Sequence, residues 1–148
     1  MKKRILIWGL MLMTAISTSF ANSNENVNRN VISAFHKDFS SAREVKWESK
    51  KEFDIATFTM NGQVQFAYYS KSGELIAVTR NILSNQLPVM LQKQLKKRYH
   101  GYWISNLFEI DVNGDTTYYV TLENPDYTMV MKSSGTLGWE LFSMEHKK

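Results

Sequence analysis

Apolar residues along the chain follow two periods that alternate. From Val27 to Phe39, positions Val27, Val31, Ala34, Phe35 and Phe39 recur at steps of three and four, which is one buried face of a helix. The period then drops to two. Val45 and Trp47 alternate with Lys46 and Glu48, and a stretch rich in β-branched and aromatic residues covers 53–60. Asn61-Gly62 suits the positive φ angles of a two-residue hairpin turn and leads into a strand over 63–69. A turn over 70–73 precedes a fourth strand at 75–80. The pattern predicts one helix followed by four antiparallel strands.

The same order begins again. Leu87, Leu91, Leu95 and Tyr99 form an i, i+4 stripe, with Pro88 in the first turn and Gly101 after the last. Lys93, Lys96, Lys97 and Arg98 lie on the wet side or near the C-terminal end, where cations complement the helix dipole, so they read as a solvated face. Strands are expected at 103–112, 116–123, 127–132 and 137–142, with turns at 113–115, 124–126 and 133–135. Phe39 matches Tyr99 and Trp47 matches Leu107 at one offset, and 71–75 (KSGEL) matches 133–137 (SSGTL) at nearly the same one. The expected fold is therefore α+β, a tandem repeat of a helix plus a four-stranded antiparallel sheet. The units are 27–83 and 84–148, after a polar leader at 22–26. Their sheets join edge to edge or abut, with both helices on one side.

The N-terminus has a different character. Lys2, Lys3 and Arg4 precede an apolar run over 5–16, and Ser19-Phe20-Ala21 supplies a small-x-small exit. These are the parts of a secretory signal peptide, residues 1–21, cleaved after Ala21. The apolar run is shorter than the roughly 20 residues that span a bilayer. With no cysteine anywhere, a lipoprotein anchor and a disulfide framework are both excluded. The expected product is soluble and periplasmic. The net charge of +4 owes three basic residues to this segment, leaving the mature chain near neutrality. A basic field for nucleic acid is thereby excluded.

The segments VISAFHKDFSSAREVKWE (31–48), FDIATFTMNGQVQFAYYSKSGELIAVTRNI (53–82), LPVMLQKQLKKRY (87–99) and YYVTLE (118–123) resemble the PepSY-like, beta-lactamase-inhibitor-like (BLIP-like) periplasmic proteins. Ala34-Phe35, Val45-x-Trp47, Asn61-Gly62, Gly73-Glu74-Leu75 and Leu87-Pro88 carry the resemblance, which extends over essentially the whole mature chain. It implies tandem helix-plus-four-strand units forming one concave eight-stranded surface with two helices on one face. It implies no enzymatic activity.

Candidate chemistry is sparse. His36 lies on the polar side of the first helix, His100 at the end of the second and His146 in the charged tail, and no two share a metal-site spacing. Glu109 and Asp111 point to one face of a strand, with Asp115 at the nearby turn, a pattern that more commonly marks a wet face. The segment DVNGD (111–115) lacks the rest of a calcium loop. No catalytic residue, metal site or cofactor is expected. Aromatics, at 13% of the chain, are the one excess. On the strand over 63–69 the row Val64, Phe66 and Tyr68 is the more apolar and is expected to face the helices, leaving Tyr69 outside. Likewise Tyr118, Val120 and Leu122 face inward and Tyr119 outward. Met129, Met131 and Trp139 are assigned to the outward set. Tyr69, Tyr119, Met129, Met131 and Trp139 are thus the expected partner-binding residues, since such side chains are enriched at interfaces. The expected function is a non-enzymatic exported module that binds a periplasmic or extracellular protein or peptide. The alternative is a periplasmic carrier of a small apolar ligand.

Overall fold

In a computed structural model that describes residues 26–148, the first periodic stretch forms helix α1, Arg29–Asp38. The expected signal peptide, 1–21, lies outside the described residues. Asn28 caps α1, its side chain accepting a hydrogen bond from the Asn30 N–H at 2.9 Å. Four strands follow: β1 (Arg43–Ser49), β2 (Phe53–Met60), β3 (Gln63–Ser70) and β4 (Leu75–Asn81). After a 3-10 turn at Ser84–Gln86 comes helix α2, Val89–Arg98, with Pro88 in the N-cap position. Then come β5 (Trp103–Val112), β6 (Asp115–Glu123), β7 (Tyr127–Ser134) and β8 (Glu140–His146). Among the described residues, no helix is long and apolar enough to cross a membrane.

All eight strands belong to one antiparallel sheet, ordered β1 to β8 as in the chain. Edge-to-edge joining therefore occurs, through β4 and β5, where Val78 pairs with Asp111 and Arg80 with Glu109. Two of the turns are set by backbone chemistry. Asn61 and Gly62 have φ of 53° and 75°, and Asn113 and Gly114 have 56° and 86°, the doubly left-handed turn that Asn-Gly tolerates best.

Register shows that both helices lie on the same side. Trp47, Ala56, Ala67, Val78, Asp111 and Thr116 form one cross-strand row, and Leu107 shares its face with Asp111. Over the first half of that face, Val31 and Phe35 of α1 pack on Ala56, Phe58, Ala67 and Tyr69. Over the second, Leu91 and Leu95 of α2 pack on Leu107, Val120, Leu122, Met129, Met131 and Trp139. Phe35 is the hub of the first core, with ring centroids 5.3 Å from Trp47, 5.1 Å from Phe58 and 5.3 Å from Phe39. The expected Phe35–Trp47 contact between helix and first strand is present. Fully burying side chains of this size contributes about 1.5–3 kcal/mol each.

The last strand departs from expectation. It begins at Glu140 rather than residue 137, because Trp139 is committed elsewhere. Its indole N–H donates to the Leu91 carbonyl at 3.1 Å, and its backbone N–H donates to the Gln94 side chain at 3.3 Å. Gly135 and Gly138, both at positive φ, let the segment before it fold under α2.

Candidate binding face

The side of the sheet away from the helices carries its own apolar cluster. Ile55, Tyr68, Ala77, Ile110 and Tyr119 are buried there, flanked by half-buried Phe53, Phe66, Phe108, Val130 and Phe142. The rows follow from register: Ile55 pairs with Tyr68 and Tyr68 with Ala77, while Phe66 pairs with Thr79, Thr79 with Ile110, and Phe108 with Tyr119. On a flat uncovered sheet these residues would keep their tops exposed. Tyr119 is only 4% exposed although no helix covers it, so neighbouring side chains close over it and the face is concave. Phe108 stacks on Tyr119 at 5.3 Å, and Phe142 meets the same ring edge-on at 5.8 Å.

The rim of this face is polar and of mixed sign. Glu48 pairs with Lys50. Lys132 lies 3.9 Å from Glu140 and 6.0 Å from the Phe142 ring centre. Lys147 bonds Glu123 at 2.7 Å and sits 4.9 Å from the Trp103 ring centre. Hydrogen bonds from that ammonium and from Ser105 hold the half-buried Glu123 carboxyl below the usual carboxylate range. Burial pushes the phenols of Tyr68 and Tyr119 up; for Tyr68 a hydrogen bond with Thr79 opposes the shift and the charge of Glu48 adds to it. Both therefore stay protonated at neutral pH. The face thus has an apolar centre with neutral polar tips and charged side chains at its rim.

Only one of the five expected partner-binding residues lies on this face. Tyr119 does, as the row alternation required. Tyr69 is fully buried under α1, where its hydroxyl donates to Asp38 at 2.9 Å. Met129, Met131 and Trp139 are buried under α2. The row Val64, Phe66 and Tyr68 conversely faces away from the helices. The reason is steric: α1 approaches the sheet over the paired alanines Ala56 and Ala67, which leave room for Phe35, and this selects the less apolar row of β3. Phe53, Ile55, Phe66, Phe108, Val130 and Phe142 are the face residues that hydrophobic alternation alone misses.

Two polar clusters lie elsewhere. In the strip of the helix-side face over β4 and β5, Arg80 bonds both Glu109 and Gln63 at 2.5 Å, and Asp111 accepts from the Gly114 N–H at 3.0 Å. Glu109 and Asp111 thus do share a face, and their bonds are internal. Burial pushes the nearby Tyr118 phenol up, Glu109 adds to the shift and Arg80 opposes it. Under the other end of the first unit, Asp54 is fully buried. Its Oδ1 accepts from the Ser49 hydroxyl and the Lys71 ammonium, each at 2.6 Å, while Oδ2 has no partner among the described residues. Ser49 gives its proton to a carboxylate that is itself ion-paired, so the trio ties the β1–β2 end to the β3–β4 turn. Among the described residues, no group of three or more His, Asp or Glu side chains is placed to hold a metal. A cleft of about 680 Å³ at the turn end of β5–β8 is lined by Thr116, Tyr118, Ser134 and Gly135, among others, and is hydroxyl-rich.

Comparison with known proteins gives fold likeness. The chain resembles a DUF2874 family protein from Bacteroides ovatus, with a TM-score of 0.71 and 15% identity over 82% of this chain and 89% of that one. A BLIP-like protein from Bacteroides fragilis matches with a TM-score of 0.70 and 15% identity, covering 81% of this chain and 86% of the other. A Bacteroides eggerthii protein whose description places it provisionally in the periplasm matches with a TM-score of 0.69 and 13% identity, over 81% and 88% of the two chains. No family model matches, and no curated protein does. The beta-lactamase-inhibitor-like resemblance read from the sequence is thus met by the fold.

Proposed function

We propose that this protein is an exported, non-enzymatic binding module that engages a protein or peptide through the concave, helix-free face of its sheet. The observation that carries the reading is the aromatic and aliphatic cluster around Tyr68 and Tyr119, which no other element of the described chain covers. A sheet with helices on one side ordinarily turns polar residues to the other. Here Phe53, Phe66, Phe108 and Phe142 stand in their place, half-exposed. Of the sequence-derived candidates, Tyr119 remains in the proposed surface. Export is supported by the N-terminal pattern of 1–21 and by the description of the Bacteroides eggerthii fold relative. The order helix, four strands, helix, four strands supports descent from a duplicated unit, 27–83 and 84–148. The alternative of an apolar-ligand carrier is disfavoured at the cleft described above, whose lining is hydroxyl-rich.

The test uses charge placed on the face without removing its buried centre. The double variant Phe66→Glu/Val130→Glu and the wild type are exported and used to capture partners from the same compartment. Loss of about 2 kcal/mol or more of affinity, the scale of an interface hot spot, is expected with folding retained. Undiminished capture by a folded double variant contradicts the proposal. Intact mass of the exported wild type should place its first residue at Asn22.

A further inference from the structure

We propose that the helix-side face at the 124–127 end of the β7–β8 ladder is a site for a soft monovalent metal ion, Cu(I) or Ag(I), held by the thioethers of Met129 and Met144 and the imidazole of His146. The placement comes from register. Met129 pairs with Met144, and Tyr127 pairs with His146, so all three donors project from one face. Directly opposed side chains have Cβ atoms about 4.5–5.5 Å apart and diagonal ones about 7–8 Å, within reach of thioethers that turn about three bonds. Met129 is 8% exposed and anchored in the α2 core, while Met144 is 54% exposed and His146 is open to solvent. One fixed inner donor and two accessible outer ones give an ion both a seat and an approach.

The donor set decides the class of ion. Thioether and imidazole ligands favour soft and borderline cations over Mg²⁺ or Ca²⁺, which need oxygen. The adjacent carboxylate of Glu145 is turned away: Glu145 pairs with Thr128 and so points to the face opposite the helices. The nearest ammonium in sequence, Lys147, is held by Glu123. In a chain without cysteine, methionine sulfur is the softest donor available. The Tyr127 ring meets the His146 ring edge-on at 5.0 Å and fixes its plane. Packing offers little competing explanation for Met144, since a side chain more than half exposed on an edge strand contributes little to the core. The contrast is Met131 two residues along, 3% exposed and opposite Leu141.

Ag(I), which does not change oxidation state, is titrated into the purified protein and followed by native mass spectrometry and by NMR of the methionine methyls. One bound Ag(I) is expected, with shifts concentrated at Met129, Met144 and His146. Met144→Leu/His146→Gln changes only exposed side chains; it should melt as the wild type does and bind at least about tenfold more weakly, the scale set by disturbing a metal's ligands. Met90→Leu, at another exposed methionine, should bind as the wild type does. The proposal is overturned if no stoichiometric Ag(I) is retained, if Met144→Leu/His146→Gln binds equally well, or if Met90 shifts as strongly as Met144.

Discussion

Tyr68 and Tyr69 are neighbours in β3 and stand on opposite faces of one sheet. Tyr69 is sealed under α1 with its hydroxyl bonded to Asp38, whereas Tyr68 sits in a cluster that only other sheet residues cover. The helix side alternates small and large residues, Ala56 and Ala67 against Phe35, Phe58 and Trp47, as interdigitating layers require. The other side buries aliphatic Ile55, Ala77 and Ile110 among the aromatic rings and has no helix to interdigitate with. Burial on one face is secured by a helix and on the other by side chains of the sheet itself, such as Phe108 and Phe142 over Tyr119. A face of the second kind keeps large, rigid side chains partly exposed.

Phe35→Ala should produce the largest effect, about 3–5 kcal/mol, because four aromatic rings lose their common neighbour. Denaturant unfolding measures it, and a loss below that of Phe66→Ala on the open face would reverse the roles of the two faces. Lys71→Met should cost about 1–3 kcal/mol by leaving the buried Asp54 carboxylate short of a partner. Tyr69→Phe should cost about 1.5–3 kcal/mol through the lost bond to a carboxylate, and Tyr68→Phe less. The tyrosines also predict a pH dependence. Burial, then the bond to Asp38 and its charge, raise the Tyr69 phenol above its ordinary 10.0, so the folded state holds a proton that the unfolded state releases. Its stabilising contribution is complete below pH 10 and is lost as pH rises above it, by up to about 1.4 kcal/mol per pH unit. Tyr69→Phe should flatten that alkaline decline. An unchanged slope would place the phenol in solvent.

Much of this comparison could be read from the chain, and the part that could not has a definite cause. Helices and hairpins were legible because the i, i+4 stripes and the Asn-Gly turns act locally. Which face of each strand meets a helix is not a local property. In β3 both rows are aromatic, and the more hydrophobic row was the wrong guide. The better signal was the small pair Ala56 and Ala67, opposite one another and in the same row as Trp47, where a helix could approach. For Met129 and Met131 the placement is carried by the hairpin itself. They pair with Leu122 and Val120 across the 124–126 turn, and placing those two inward already places the methionines inward. Trp139 was misplaced for another reason: its indole bond to the Leu91 carbonyl joins residues far apart in sequence. The proposed donors Met129, Met144 and His146 come together only through the β7–β8 register, which no spacing within one element displays.

Whether the uncovered face meets the partner is tested most directly by site-specific photocrosslinking in living cells. A photoreactive phenylalanine analogue is placed at Phe66 on the concave face and, separately, at the exposed Lys37 on the outer side of α1. Discrete crosslinked adducts from position 66, absent from position 37, are the predicted result. Adducts from position 37 with none from position 66 would place the partner on the helix side instead.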